Sequence, residues 1–339
     1  MGKERYNLRM NTIVLPDRKL SWPTTWAEIY GREAPFIIEI GFGGGHFLLD
    51  LARKRPSCNI IGVEISVPSL RRAVSKIEHA RLTNVRVMQC DASYLLQALC
   101  AYESVAEVYI NFPDPWRKAA HYHRRLIQDE FLNLLATRMQ PNGLLDIATD
   151  HADYADWITE RLERTPYFNS RLGTTFVNED KERLVTKYEE RGIGLGHICH
   201  YYKWQRNNTA VSHSYPIPQE FAMPHMIIKT PLSLPEIESK FVQQHIHDGD
   251  VNVRFLEAFL AQDGKTLLID SYISETPLSQ RLGVQIRQRD NNEVVVRLHE
   301  IGFPRSTQGL QTAVKGLSNW VVSLHPETEI VRHNLGVLE

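Results

Sequence analysis

The sequence has few cysteines and no long apolar run. Its four cysteines form no Cys-x-x-Cys pair, which argues against a zinc ribbon and against a disulfide framework. No stretch approaches the ~18 consecutive apolar residues of a membrane-spanning helix, and no apolar signal segment follows the N-terminus. We therefore expect a cytoplasmic protein without membrane contact and without a bound metal.

The length and composition predict two folded domains. The chain has 339 residues, of which 42% are hydrophobic and 23% charged, and domains usually hold ~100–200 residues. Residues 1–206 carry a small excess of basic side chains and the remainder an excess of acidic ones, so a polyanion is expected to meet the first part. We predict a domain over 1–206, a proline-rich linker over 207–235 and a second domain over 236–339.

Strand-like and helix-like segments alternate between residues 36 and 149, which predicts an α/β domain with a doubly wound parallel sheet. Ligands of such sheets bind beyond the carboxyl ends of the strands. After residue 250, several β-like runs precede one amphipathic helix that carries Leu310, Val314 and Leu317 on one side. We predict a smaller α+β domain with an antiparallel sheet there, and its role stays open.

A glycine-rich turn follows the first predicted strand. Gly41 and Gly43 allow a tight turn and a close approach to a ligand. His46 stands where a dinucleotide fingerprint has its last glycine, and no Gly-Lys-Ser/Thr motif indicates a P-loop. Glu64 ends the second strand, where an acidic side chain can bind both hydroxyls of a ribose. Asp91 ends the third, near the expected position of an adenine amino group.

Glu39 lies inside the first predicted strand, where burying a carboxylate costs several kcal/mol unless a cation or donors compensate it. An ammonium group and a sulfonium would provide that compensation, whereas pyrophosphate would not. The sequence thus favours S-adenosylmethionine over a dinucleotide. The alternative is that a helix N-terminus or an arginine satisfies Glu39.

A second set of motifs follows the fourth predicted strand. Residues 111–116 read Asn-Phe-Pro-Asp-Pro-Trp, and the two prolines stiffen a turn that carries Asp114. A cluster of basic and aromatic side chains comes next, which suits RNA but also suits a solvated surface. Asp150 ends a further strand on the same rim. The cluster and the later polar segment contain Lys118, Arg124, Arg125, Thr186, Lys187, Tyr188 and Glu189.

Together these segments resemble the bacterial tRNA (guanine-N7-)-methyltransferase family over about residues 35–206. The resemblance rests on residues 38–45, 62–64, 111–118 with 124–125, 148–150 and 186–197, whose order and spacing make chance improbable. It implies a Rossmann-like class I methyltransferase domain that uses S-adenosylmethionine on tRNA, at the position-46 guanine of the variable loop. The residues after about 206 have no counterpart in the common short form, which leaves monomer and homodimer both open.

The resemblance also implies roles for the site residues. The cofactor contacts would be Glu39, Gly41, Gly43, Glu64, Asp91 and Asp114. The tRNA contacts would be Lys118, Arg124, Arg125, Asp150, Thr186, Lys187, Tyr188 and Glu189. Guanine N7 carries a free lone pair and needs no general base, so Asp114 and Asp150 are the candidates for stabilising the charge that develops on the ring.

Three other functions remain possible at this point. Asn111-Phe112-Pro113 is similar to the loop of methyltransferases that act on base amino groups. A nicotinamide oxidoreductase is disfavoured by Glu39 and His46. A tRNA-binding protein without catalysis would be expected to lose some of the carboxylates that this chain retains.

Overall fold

A computed structural model describes residues 13–181, 183, 189, 194, 196–212, 214–301 and 304–336. The chain divides into two units, Met1–Ile217 and Pro218–Glu339. No helix among the described residues has both the length and the apolar character needed to cross a membrane.

The first unit contains a seven-stranded sheet in the order β3-β2-β1-β4-β5-β7-β6. β1 to β5 are parallel neighbours, β7 runs antiparallel to β5, and β6 runs antiparallel to β7. This confirms the predicted doubly wound sheet and adds an antiparallel pair at its edge. The strands are β1 (Phe36–Ile40), β2 (Asn59–Val63), β3 (Val85–Met88), β4 (Val105–Asn111), β5 (Met139–Thr149), β6 (Phe168–Ser170) and β7 (His200–Arg206).

Helices follow most of the parallel strands, and both faces of β1 are covered. Every residue of β1 is buried, as expected for a strand between two helical layers. The side chain of Ser66 accepts a hydrogen bond from the amide of Ser69 and so caps the third helix. The helices are α1 (Trp26–Tyr30), α2 (His46–Lys54), α3 (Val67–Ala80), α4 (Ala92–Tyr94, continued by a π-helix over Leu95–Leu99), α5 (Asp129–Arg138) and α6 (Ala152–Arg164).

The order of the strands fixes where a ligand binds. From β1 the chain proceeds outward to β2 and β3, and then crosses to the other side of β1 to form β4. The connections after β1 and β4 therefore leave the sheet in opposite directions, which opens a crevice at their carboxyl ends. The glycine-rich turn and the Asn111–Trp116 turn both begin there.

The second unit is an antiparallel sheet with helices packed against it, as predicted. Its seven strands follow the order β14-β8-β13-β12-β11-β10-β9, and Leu310, Val314 and Leu317 of its long helix are fully buried against them. The elements are β8 (His225–Lys229), α7 (Leu234–Ser239), β9 (Gln244–Asp248), β10 (Val251–Leu260), β11 (Thr266–Glu275), β12 (Leu278–Gln288), β13 (Glu293–Leu298), α8 (Gln308–Ser323) and β14 (Glu329–His333).

The stretch predicted as a linker, residues 207–235, is not a separate linker. Residues up to Ile217 belong to the first unit, and strand β8 lies within the remainder. The prolines flank β8 and do not interrupt it, so its three buried residues, Met226, Ile227 and Ile228, pair with β13 and β14.

Candidate active site

The glycine-rich turn connects β1 to α2 and holds the carboxylate of Glu64. Gly41 and Gly43 adopt φ values of +72° and +51°, a conformation that favours glycine. The amide of Gly43 donates to Oε2 of Glu64 at 2.9 Å, and the amide of Ser66 donates to Oε1 at 2.9 Å. Glu64 is therefore held by backbone groups of the glycine-rich turn and of the segment that follows β2.

Glu39 is a buried carboxylate of which only one oxygen is satisfied. Its side chain is 1% exposed, and Oε1 accepts a hydrogen bond from Nδ2 of Asn111 at 3.2 Å. Oε2 is buried and has no hydrogen-bond partner among the described residues. Burial raises the pKa of Glu39 to about 8, although the Asn111 hydrogen bond and the charge of Arg183 act to lower it. Such a group fits a cationic ligand that supplies the missing partner.

The sequence left open that a helix N-terminus or an arginine binds the Glu39 carboxylate, and neither arrangement is present among the described residues. No helix N-terminus or arginine donates a hydrogen bond to it. Arg183 acts on it through Asn111, because Nη2 of Arg183 donates to Oδ1 of the same amide. Nη1 of Arg183 donates to Asp146 of β5, so four buried or half-buried polar side chains form a connected network behind the crevice.

Arg183 and Asp146 were not among the site residues predicted from the sequence. Asp146 is only 4% exposed and lies in the buried strand β5. It thus shows the signal that drew attention to Glu39, a carboxylate within an apolar strand. Arg183 showed no such signal, since its partners are 37 and 72 residues away in the chain.

A cleft of about 330 Å³ lies at the carboxyl ends of β1, β2 and β4. Gly41, Glu64, Asp91 and Asp114 all line it, so the structure brings together four of the predicted cofactor residues. Asp91 also accepts a hydrogen bond from the amide of Ser93 at 2.7 Å and caps α4. No group of three or more His, Cys, Asp or Glu is placed to hold a metal among the residues that the structure describes.

The turn after β4 carries Asp114 into this cleft. Phe112 and Trp116 have φ values of +50° and +44°, a region that non-glycine residues seldom adopt and that is often found at functional sites. Pro113, Asp114 and Trp116 all line the cleft. Arg124 lies at the same opening, with its guanidinium carbon 5.0 Å from the centre of the Trp116 ring.

Arg125 is buried, whereas the predicted contact with tRNA requires an exposed side chain. It is 2% exposed, and its guanidinium lies 3.7 Å from the ring centre of Tyr122 and 4.8 Å from that of Trp157. Its Nε donates to the carbonyl oxygen of Pro115 at 2.8 Å. The chain turns between Arg124 and Arg125, so one faces solvent and the other supports the turn from inside. Lys118 is exposed, as a phosphate contact requires.

The remaining predicted tRNA contacts have different surroundings. Asp150 follows β5, and its Oδ2 lies 2.9 Å from Nδ1 of the exposed His197. Glu189 is 2% exposed and accepts a hydrogen bond from the hydroxyl of Tyr201 at 2.6 Å. Thr186, Lys187 and Tyr188 lie outside the described residues.

Comparisons with known proteins agree on one kind of enzyme. A family model described as a putative methyltransferase matches residues 33–201. The tRNA (guanine-N(7)-)-methyltransferase of Syntrophotalea carbinolica is 37% identical over 57% of this chain and 83% of its own length. That of Nitrosomonas europaea is 41% identical over 52% of this chain and 78% of its own length.

The chain also aligns with the solved structure of an rRNA methylase from Streptococcus thermophilus, at 11% identity and a TM-score of 0.37, over 52% of this chain and 88% of that one. The sequence relatives carry the assignment, because both are matched over more than two thirds of their own length. This chain belongs to the tRNA (guanine-N(7)-)-methyltransferase family.

Proposed function

We propose that this protein transfers the methyl group of S-adenosylmethionine to N7 of a guanine in tRNA, giving 7-methylguanosine and S-adenosylhomocysteine. The position-46 guanine of the variable loop is the proposed target, and the cytoplasm the proposed location. The observation that supports this function best is the unpartnered Oε2 of Glu39. Glu39 is the penultimate residue of β1, and the next two residues, Ile40 and Gly41, line the cleft.

The cofactor side of the site consists of carboxylates at strand ends around an open glycine turn. Glu39 is assigned to the ammonium and sulfonium end of S-adenosylmethionine, Glu64 to the ribose hydroxyls and Asp91 to the adenine amino group. An added Cβ on Gly41 or Gly43 would meet no protein atom within 4 Å, so the surface of the turn is open to a ligand. When bound, the cofactor supplies an electrophilic methyl group.

The substrate side consists of Asp114 at the cleft and basic groups beside it. Guanine N7 has a lone pair and no proton, so the protein needs no general base to activate it. Asp114 and Asp150 are assigned to stabilise the positive charge that develops on the ring. Lys118 and Arg124 are assigned to tRNA phosphates, and Thr186, Lys187, Tyr188 and Glu189 to the target guanosine. Holding N7 in line with the methyl group can supply ~7–11 kcal/mol.

The proposed function is tested by nucleoside analysis of unmodified tRNA treated with the protein and S-adenosylmethionine. The expected product is 7-methylguanosine, and mass spectrometry of the digest distinguishes it from a guanine methylated on its amino group. A methylated amine, or no methylation at all, would refute the proposal.

The role of Asp114 has its own variant. Asp114→Ala is expected to lower kcat by about 100-fold or more, since preorganised charges of this kind contribute that much. Glu78→Ala is the matched control, because Glu78 is an exposed carboxylate in the last turn of α3, remote from the cleft. If the two variants have the same turnover as the unmodified protein, Asp114 does not have the assigned role.

A further inference from the structure

Arg183 donates hydrogen bonds to Asn111 and to Asp146 and does not line the cleft. We propose that Arg183 is a positioning residue that orients Asn111 and thereby prepares Glu39 for the cationic end of the cofactor, with Asp146 as its anchor. The inference rests on the proposed function, because it assigns the ligand of Glu39 to S-adenosylmethionine.

Arg183 fixes the orientation of the Asn111 side chain. A carboxamide offers a carbonyl oxygen on one side and an amino group on the other. Nη2 of Arg183 can only donate, so it holds the Oδ1 side of Asn111. The Nδ2 side then faces Oε1 of Glu39 at 3.2 Å. Without Arg183 the amide is free to turn its oxygen toward the carboxylate, which would repel it.

Arg183 itself is held in place by Asp146 and by two aromatic rings. It is 8% exposed and Asp146 is 4% exposed, and their ion pair joins Arg183 to the middle of β5. The guanidinium carbon lies 5.4 Å from the ring centre of Phe47 and 5.6 Å from that of Tyr201. An arginine confined by an ion pair and two rings can hold an amide in one orientation.

The charge of Arg183 also acts on Glu39. Among the described residues, the charged groups that act on Glu39 are Arg183, which lowers its pKa, and Glu64, which raises it. Asp146 partly neutralises Arg183, while the neighbouring Lys203 and Asp180 pair with each other at 2.7 Å. Arg183 therefore favours the ionised form of Glu39, the form that attracts an ammonium group.

A purely structural role of Arg183 would have a different signature. Arg183 also joins its own part of the chain to the sheet, so its loss can weaken ligand binding by disturbing the packing. Weaker binding that comes from disturbed packing does not depend on whether Glu39 is ionised. Weaker binding that comes from loss of the positioning role does depend on it, since binding then requires deprotonation of a carboxyl group whose pKa has risen further.

The experiment measures the Kd of S-adenosylhomocysteine by calorimetry at about pH 7 and about pH 9. This ligand carries the same ammonium group, and the ratio of variant to unmodified Kd cancels the titration of the ligand itself. Arg183→Met is expected to raise Kd by about tenfold at the lower pH, corresponding to one unit of pKa. The ratio should fall to about twofold at the higher pH, where Glu39 is more fully ionised.

Two further variants keep the test decisive if Arg183→Met folds poorly. Arg183→Lys retains the charge and should keep Kd within about threefold of the unmodified protein at about pH 7. Asp146→Asn removes the ion pair that anchors Arg183 and should raise Kd at that pH by a smaller factor than Arg183→Met does. The control is Arg171→Met, an exposed arginine of the same unit, and thermal melting checks the folding of each variant.

The outcomes separate the two proposals. If the unmodified protein binds neither S-adenosylmethionine nor S-adenosylhomocysteine, the proposed function fails. If it binds them but the Arg183→Met ratio is the same at both pH values, or if Asp146→Asn leaves Kd unchanged, the positioning role of Arg183 with Asp146 as its anchor is refuted and the proposed function stands.

Discussion

The guanidinium of Arg125 donates a hydrogen bond from Nε to the carbonyl oxygen of Pro115 over 2.8 Å. This contact joins a buried cation to the turn that presents Asp114 to the cleft. Tyr122, Tyr154 and Trp157 surround the same guanidinium, with ring centres 3.7 to 5.0 Å from its central carbon. The turn is thus supported from inside the fold, by a residue that is almost fully buried.

Arg125→Ala should therefore act on stability and not on the attraction of tRNA. We expect the free energy of unfolding to fall by about 2–4 kcal/mol, because a desolvated cation–π contact and a charged hydrogen bond are lost. Denaturant titration measures this change. Arg117→Ala, at an exposed neighbouring arginine, should change it by about 0.5 kcal/mol or less. Equal effects of the two variants would show that Arg125 does not support the turn.

Replacing Lys118 or Arg124 by alanine should weaken tRNA binding and reduce its dependence on salt. Each phosphate contact that is lost lowers the slope of log K against log salt by ~0.7–0.9. The measurement is tRNA affinity over a series of salt concentrations. Lys54→Ala is the control. This exposed lysine ends α2, which leads from the carboxyl end of β1 back toward the amino end of β2. An unchanged slope for Lys118→Ala and Arg124→Ala would place both side chains in bulk solvent.

Glu39→Gln should make the ligand-free protein more stable at high pH. The pKa of Glu39 is about 8 in the folded chain against an ordinary value of 4.5, so the folded state retains a proton that the unfolded state releases. The stability that this provides is complete below the unfolded pKa and is lost as the pH rises through the folded one. A neutral glutamine avoids that loss, which we expect to be about 2–4 kcal/mol near pH 9.

Urea titrations of Glu39→Gln and the unmodified protein at about pH 5 and about pH 9 measure this difference. Glu78→Gln, at an exposed carboxylate, should show no pH-dependent gain. The same Glu39→Gln variant should bind S-adenosylmethionine more weakly, because the counter-charge of the ammonium is gone. A variant less stable than the unmodified protein at both pH values would contradict the buried, unpartnered state of this carboxyl group.

A chain ending at Ile217 should fold and methylate tRNA better than one ending at Arg206. Arg138 is fully buried, and its Nη2 donates to the carbonyl oxygen of Tyr215 at 2.6 Å. Tyr167 and Ser212 join their hydroxyls at 3.0 Å. Ending the chain at Arg206 removes both contacts, which should cost about 2–5 kcal/mol of unfolding free energy. Denaturation midpoints compare the two chains, and equal midpoints would contradict the assigned boundary.

Local patterns predicted the larger part of the fold. The parallel strands appear in the sequence as short apolar runs between helices, and the helix over 308–323 repeats its apolar residues at helical spacing. β8 was missed because prolines lie on both sides of it. The antiparallel pair β6 and β7 was not predicted either, since aromatic and polar residues alternate in β7 and no turn signal separates the two strands.

The cofactor side of the site was also largely predictable. Glu64 and Asp114 follow strands directly, and the carboxyl ends of parallel strands meet at one edge. The tRNA contacts were harder, because adjacent residues can face opposite directions. Nothing in the run His123-Arg124-Arg125 indicates that only the last arginine turns inward, and Glu189 gave no sign that Tyr201 would cover it.

The sequence by itself determined the alternation of strands and helices up to residue 149, the glycine turn, the placement of acidic residues at strand ends and the family. These features depend on residues that are close together in the chain, and their spacing can be read directly from the sequence. Only the tertiary structure decided that Glu39 keeps one unpartnered oxygen, that Arg125 is buried and that Arg183 connects Asn111 to Asp146. Those facts depend on contacts between residues far apart in the chain, and such contacts are settled by packing and desolvation once the whole unit has folded.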